Sequence, residues 1–167
     1  MASRGKAWAV TAAFTLFGGP GILGVLLPLW LSGWKTPRPL AAEQWVGAGI
    51  IVLGAAPLLE SIVRFVRVGR GTLAPMVPTE VLVVSGLYRY VRNPMYIGVV
   101  TAVAGQALLF RSAAVGEYAA VLWLGFTAFI LLYEEQVLRN KYGAEYMKYC
   151  AHVGRWLPRL RPWNGGM

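Results

Sequence analysis

The chain has 167 residues, 57% of them hydrophobic and 14% charged, with a net charge of +9 and a single cysteine. A soluble domain of this size would carry more charge, so the composition points to one membrane domain over residues 1–167. One thiol excludes an intrachain disulfide, and Cys150 with His152 is too small a set for zinc; no metal site is expected, and Cys150 reads as a packed small residue.

The expected fold is all-α and polytopic: about four transmembrane helices, a cytoplasmic loop and an amphipathic C-terminal helix. The first apolar stretch runs from about Trp8 to Leu31. Arg4 and Lys6 precede it, as in a signal peptide, but the run is longer than a signal core and no cleavage site follows. Gly18-Gly19-Pro20-Gly21 predicts a break or kink within it. A short loop with Pro37 and Pro39 leads to the second stretch, about Trp45 to Phe65. There Gly47, Gly49 and Gly54 hint at close helix packing, and a dimer through the first two spans is one use for it. Glu60 stands four residues before Arg64, which an i,i+4 ion pair explains.

The segment from Val66 to Asn93 is a long connection. Gly69-Arg70-Gly71 opens it without the strand-turn-helix frame of a phosphate loop. Pro75 and Pro78 follow, and Val81-Leu82-Val83-Val84 predicts a short strand or an extended segment. Asn93-Pro94 then reads as a helix start, because Asn is a favoured N-cap and Pro suits the first turn. The third stretch, about Met95 to Phe110, is short. Arg111 and Ser112 alone separate it from the fourth, about Ala113 to Tyr133, so these two should form a tight antiparallel hairpin.

Beyond Tyr133 the tail Glu134–Val153 is amphipathic. Leu138, Tyr142, Tyr146, Tyr149 and Val153 share one helical face, with Gly143 as an interruption. Such a helix either lies on the membrane surface or folds back over a cytoplasmic pocket.

Four spans place the N-terminus, the middle connection and the C-terminus on one side. Basic residues concentrate there, from Arg4 and Lys6 through Arg64, Arg89 and Arg92 to Arg155, Arg159 and Arg161, while Lys35, Arg38 and Arg111 stand opposite. The positive-inside rule makes the basic side cytoplasmic, an integral multi-pass topology with both termini and the active site in the cytoplasm. Topology and anionic membrane lipids account for the +9 charge, and no nucleic-acid partner is implied.

Candidate chemistry gathers at that face. Arg89 and Arg92 flank the helix N-terminus at Asn93, which suits an anionic ligand group or a lipid phosphate. Tyr88, Tyr90 and Tyr96 offer hydroxyls and ring faces, or an interfacial belt. Glu134 and Glu135 stand where the fourth span ends. Adjacent helical carboxylates diverge, so one can face inward to a ligand while the other meets the basic tail. The chain has one histidine and no aspartate, which excludes a Ser-His-Asp triad and leaves two-metal chemistry without ligands.

Three motifs in order, Gly86-x-Tyr88-Arg89-Tyr90-x-Arg92-Asn93-Pro94-Met95-Tyr96-x-Gly98, Glu134-Glu135-x-x-Leu138 and Tyr142-Gly143-x-Glu145-Tyr146-x-x-Tyr149, resemble the integral membrane methyltransferases. These are the isoprenylcysteine carboxyl methyltransferases and the phospholipid (phosphatidylethanolamine) N-methyltransferases. The resemblance covers roughly Thr72 to Leu160 and divides the chain into two N-terminal spans (1–66) and a methyltransferase-like region (67–160). It implies S-adenosylmethionine as cofactor and a lipophilic or lipid-modified acceptor. Carried over by motif, the cofactor contacts are Val81, Leu82, Val83, Tyr88, Asn93, Pro94, Met95, Tyr96 and Glu134. Arg89, Arg92 and Glu135 complete the pocket as candidate catalytic residues. Asn93 replaces the histidine usual in the isoprenylcysteine enzymes, and Ile130 stands where they carry an arginine, so the pattern is closer to the phospholipid branch. Lys141-Tyr142-Gly143, Tyr149-Cys150 and Pro158 also resemble the tail of NADPH-dependent sterol-type reductases, which implies a reductase as the alternative. A non-catalytic membrane scaffold is a third reading.

Overall fold

The computed structural model describes residues 19–34, 41–67 (side chains as far as Arg64) and 81–165. The start of the first apolar stretch, the loop with Pro37 and Pro39, and Gly69-Arg70-Gly71 with Pro75 and Pro78 lie outside the described residues. The architecture is all-helical, and no strand occurs among the described residues. Helix α1 spans Gly19–Leu31, α2 Ala42–Arg67, α3 Pro94–Phe110 and α4 Ala113–Phe129. A π-helical turn, Ile130–Glu134, carries α4 without a break into α5, Glu135–His152. Val81–Val84 forms no strand, and a 3₁₀ turn follows at Gly86–Arg89.

In α1, Gly19–Gly21 are already helical; the departure from α geometry comes one turn later, as a π-helical turn at Ile22–Leu26. Pro28 is the physical reason a repair is needed. It has no N–H, so the carbonyl of Gly24 four residues earlier loses its helical donor. Gln106 of α3 supplies one, its Nε2 donating to Gly24 O at 2.7 Å. The amide of Leu27 reaches back to Ile22 O, and the Tyr118 hydroxyl donates to Leu23 O at 2.9 Å. Two polar side chains thus lock α1 onto α3 and α4 through carbonyls that the irregular turn exposes.

Helices α2 and α3 pack backbone to backbone. A Cβ on Gly54 would lie 2.5 Å from Ala102 N and 2.6 Å from Gly98 O, and one on Gly47 would lie 2.7 Å from Gly105 O. Gly98 and Gly105 meet α2 in the same way. The pairs Gly47–Gly105 and Gly54–Gly98 recur at a seven-residue spacing, so small residues line one seam. Gly47 and Gly54 are therefore occupied within the chain, while Gly49 has nothing within 4 Å. Gln44, fully buried, closes the far end of this seam by donating to Leu109 O at 2.8 Å.

The hairpin between α3 and α4 is as tight as its two residues imply. Arg111 adopts the left-handed conformation (φ 49°, ψ 46°), and Ser112 caps α4 by accepting from the Val115 amide. Val99, Val103, Val115, Ala119 and Leu122 form the buried core between α3 and α4, with Leu23 of α1 against it. The outward faces are apolar: Val52, Leu53, Val121 and Leu132 are 69%, 70%, 64% and 71% exposed. Two helical stretches, Ala42–Arg64 and Ala113–His152, are long and apolar enough to cross a membrane. Exposed apolar surface of this kind suits lipid, and the protein is membrane-associated.

Candidate functional site

The site lies where the start of α3 meets the end of α4. Pro94 holds the first turn of α3, with Asn93 before it at φ −123°, ψ 54°. Asn93 caps the helix by position only. Its side chain makes no cap bond; instead Nδ2 donates to the carbonyl of Arg155 at 3.2 Å. This corrects the expectation of a side-chain N-cap: the Nδ2 donor draws the side chain to a tail carbonyl, and Oδ1 accepts nothing from the helix's own amides.

One turn into α3, Tyr96 donates its hydroxyl to Glu134 Oε2 at 2.8 Å. Its ring lies 4.6 Å from that of Phe126. Below this pair an apolar cavity of about 360 Å³ opens between the start of α1 (Gly19, Leu23), the first turns of α3 (Met95, Tyr96, Val99) and the last turns of α4 (Leu122, Phe126, Phe129). Tyr96 belongs to both environments, with its hydroxyl on the carboxylate and its ring on the cavity wall.

Glu135 points elsewhere, as two adjacent helical carboxylates must. Its Oε1 accepts from Arg155 Nε at 2.8 Å and from Arg92 Nη1 at 3.1 Å, and Oε2 lies 3.6 Å from Arg139. Burial pushes its carboxyl pKa up, but the Arg155 hydrogen bond and the charges of Arg92, Arg155 and Arg139 outweigh that and leave it below its ordinary value. Arg92 also donates to Cys150 Sγ at 2.8 Å, so Cys150 is a polar contact rather than mere packing. Arg92 Nε remains buried without a partner among the described residues.

Arg89 is turned to the tail, donating Nε to Trp163 O at 3.1 Å. Backbone bonds from Arg92 N to Gly154 O, Arg159 N to Tyr90 O and Trp163 N to Arg89 O run the tail alongside residues 89–92. Tyr88 is buried, its carbonyl accepts from the Tyr149 hydroxyl at 2.6 Å, and its phenol hydrogen-bonds with Ser61 of α2. Burial first, offset by Ser61 and reinforced by Glu134 and Glu60, holds that phenol well above its ordinary pKa.

The tail helix bends where expected, at Gly143 (φ 53°, ψ −124°). Its apolar face does not go to a membrane surface. Tyr146, Tyr149 and Val153 are buried, and Leu82, Val84, Leu138, Tyr142, Cys150 and Trp163 pack around them. Of the expected cofactor contacts, Leu82 therefore packs on the tail helix, Val83 is buried and Val81 is 48% exposed, while Tyr88, Asn93, Pro94, Met95, Tyr96 and Glu134 gather at the α3–α4 junction. Sequence reasoning missed Ser61 and Arg155. A lone serine next to Glu60 in an apolar run was a signal for the first. Arg155 had none, because its partners lie 20 and 62 residues away.

Residues 42–145 match the phospholipid methyltransferase family. The chain belongs to that family. Among curated proteins, it is 33% identical over 78 residues to protein-S-isoprenylcysteine O-methyltransferase A of Arabidopsis thaliana, a stretch covering 46% of this chain and 39% of that one. It is 37% identical over 78 residues to a probable protein-S-isoprenylcysteine O-methyltransferase of Oryza sativa subsp. indica, covering 46% of this chain and 40% of the relative. The match thus spans about two fifths of the length of these relatives.

Proposed function

We propose that this protein transfers a methyl group from S-adenosylmethionine to a lipophilic acceptor that enters from the bilayer. The observation that carries the proposal is the double role of Tyr96: a polar, water-side cluster of Tyr88, Asn93, Tyr96 and Glu134 shares a wall with an apolar cavity large enough for part of a lipid chain. When bound, S-adenosylmethionine supplies an electrophilic methyl group on a sulfonium. The residues present fit such a molecule. Glu134 suits its amine or ribose hydroxyls, the unpartnered Arg92 Nε suits its carboxylate, and the aromatic faces of Tyr96 and Phe126 suit its cationic centre. The chain then holds the acceptor in line and excludes water, which is where the rate arises.

In this reading α1 to α4 are four antiparallel spans of one domain, with both termini and the polar cluster on the cytoplasmic face. The 21 residues from Ala113 to Tyr133 span about 31 Å, the thickness of a hydrocarbon core. Glu134 and Glu135 then sit just past it, where carboxylates are affordable. Glu135 and Arg92 serve as positioning residues that fix the turn before α3, and Arg89 fixes the tail.

Calorimetric titration of S-adenosylmethionine and S-adenosylhomocysteine into detergent-purified protein tests the proposal. Wild type should bind both, and Glu134→Gln should bind at least about tenfold more weakly, the loss of one charged hydrogen bond. A folded wild type that binds neither overturns it.

A further inference from the structure

Glu60 and Ser85 have no role in the site as described, yet both carry a buried oxygen that no described residue satisfies. Glu60 Oε1 is taken by Arg64, its i,i+4 partner. Its Oε2 is buried with no hydrogen-bond partner among the described residues, and so is Ser85 Oγ. A carboxylate oxygen at a membrane edge is costly to leave unmet, and buried polar atoms are ordinarily paired. An ion pair alone explains one oxygen of Glu60, not both.

Ser85 precedes Gly86 in the chain, and the Glu60 carboxylate of α2 packs against Gly86. That residue has φ +57°, and a Cβ there would strike Glu60 Oε1 and the Arg64 guanidinium. The backbone conformation favours glycine here, and the ends of the Glu60 and Arg64 side chains close over the 3₁₀ turn at this point. Two residues beyond Gly86 stands Tyr88, bonded to Ser61 beside Glu60 and lying in the fields of both Glu60 and Glu134. Glu60 therefore adjoins the candidate site through Tyr88.

We propose that Glu60 and Ser85 anchor an alkylammonium group of a ligand held in this site. The inference rests on the methyl-transfer reading for its ligand and extends it by two residues that the family motifs do not contain. The chemistry is specific. A carboxylate oxygen and a hydroxyl both accept, and a primary ammonium offers three N–H donors with the complementary charge. An anionic group would meet the Glu60 carboxylate and be repelled. One carboxylate and one hydroxyl are too few for a divalent cation. The ammonium comes either from the methyl donor's amino-acid end or from an amine headgroup on the acceptor, and the anchor is the same for both.

Calorimetry with two matched pairs of probes separates these sources. The donor pair is S-adenosylhomocysteine and its deaminated counterpart; the headgroup pair is dihexanoyl phosphatidylethanolamine and dihexanoyl phosphatidylglycerol. In Glu60→Gln, the amine-bearing member of one pair should lose affinity about tenfold or more, with its amine-free partner unchanged. Ser85→Ala, which leaves the fold's ion pair intact, should lose a few-fold on the same probe. Arg64→Gln keeps the carboxylate and should bind that probe as wild type or better. An equal loss in Arg64→Gln and Glu60→Gln makes the pair purely structural and overturns the anchor. So does unchanged binding of both amine probes in folded Glu60→Gln and Ser85→Ala. Wild type that binds phosphatidylethanolamine through Glu60 but not S-adenosylhomocysteine keeps the anchor and removes the methyl-transfer reading instead.

Discussion

The seam between α2 and α3 and the junction between residues 86–96 and the tail are held together by opposite means. In the seam, Gly47, Gly54, Gly98 and Gly105 let two backbones touch, and the contact carries no charge. At the junction, Glu135 gathers Arg92, Arg139 and Arg155, and carbonyls of Tyr90, Gly154 and Arg155 accept bonds from across the chain. Lipid gives apolar helices no reason to leave it, so close packing must do the work in the seam. Water at the junction allows charges and hydrogen bonds to do it instead. A ligand site with polar and apolar halves belongs at the border between these regimes, and Tyr96 stands there.

The seam should break most severely. In Gly54→Leu the new side chain meets backbone atoms of Ala102 and Gly98, which cannot move aside without parting the helices. We expect a loss on the order of 3 kcal/mol or more, seen as aggregation on size-exclusion chromatography and a collapsed thermal midpoint in detergent. Gly49→Ala, on the open side of the same helix, should behave as wild type. If both variants behave alike, the seam is not built on these glycines.

The junction should give way next, and to acid. Arg92 has a side chain only 11% exposed, so Glu135→Gln leaves a buried guanidinium without its countercharge. About 3 kcal/mol is expected, towards the low end for broken buried pairs because Arg155 and Arg139 can reach water. The folded-state pKa of Glu135 lies below its ordinary value of 4.5. Its contribution is therefore complete above that value and disappears as the pH falls through the folded pKa. Thermal midpoints measured from pH 6 down to pH 3 should fall in wild type and much less in Glu135→Gln. Parallel curves would show that Glu135 does not carry the junction.

Much of this contrast was legible in the sequence, for reasons that differ by residue. Apolar runs and the two-residue gap at Arg111-Ser112 gave the helices and the hairpin, because span length and loop length leave little freedom. The divergence of Glu134 and Glu135 followed from helix geometry alone. Asn93 and the tail face were harder. Local rules make Asn93 a side-chain cap, but the carbonyl of Arg155, far along the chain, takes its Nδ2 donor and draws the side chain to the tail. The amphipathic face of α5 has the same pattern whether it meets lipid or protein, and only the contacts with Leu82 and Val84 decide between them. The π-helical turn of α1 was half visible, since Pro28 announces an unmet carbonyl but not that Gln106 meets it.

The smallest effect belongs to the opposite end of the hairpin, and its sign is informative. Arg111 sits in the left-handed conformation at φ 49° and also pairs with Glu43 at 2.6 Å. Both partners are about half exposed, 48% and 54%, so the pair is worth about 0.5 kcal/mol or less. The left-handed backbone costs a non-glycine residue about 1 kcal/mol, of which a glycine would recover part and lose part to its greater freedom when unfolded. Arg111→Gly should therefore leave the thermal midpoint at or slightly above that of wild type. Arg111→Val loses the pair and adds a β-branched side chain at positive φ, so it should fall below both. A clear drop in Arg111→Gly would mean that the Glu43 contact, which joins α2 to the hairpin, contributes more than its exposure allows, and that charge as well as close packing secures the far end of the seam.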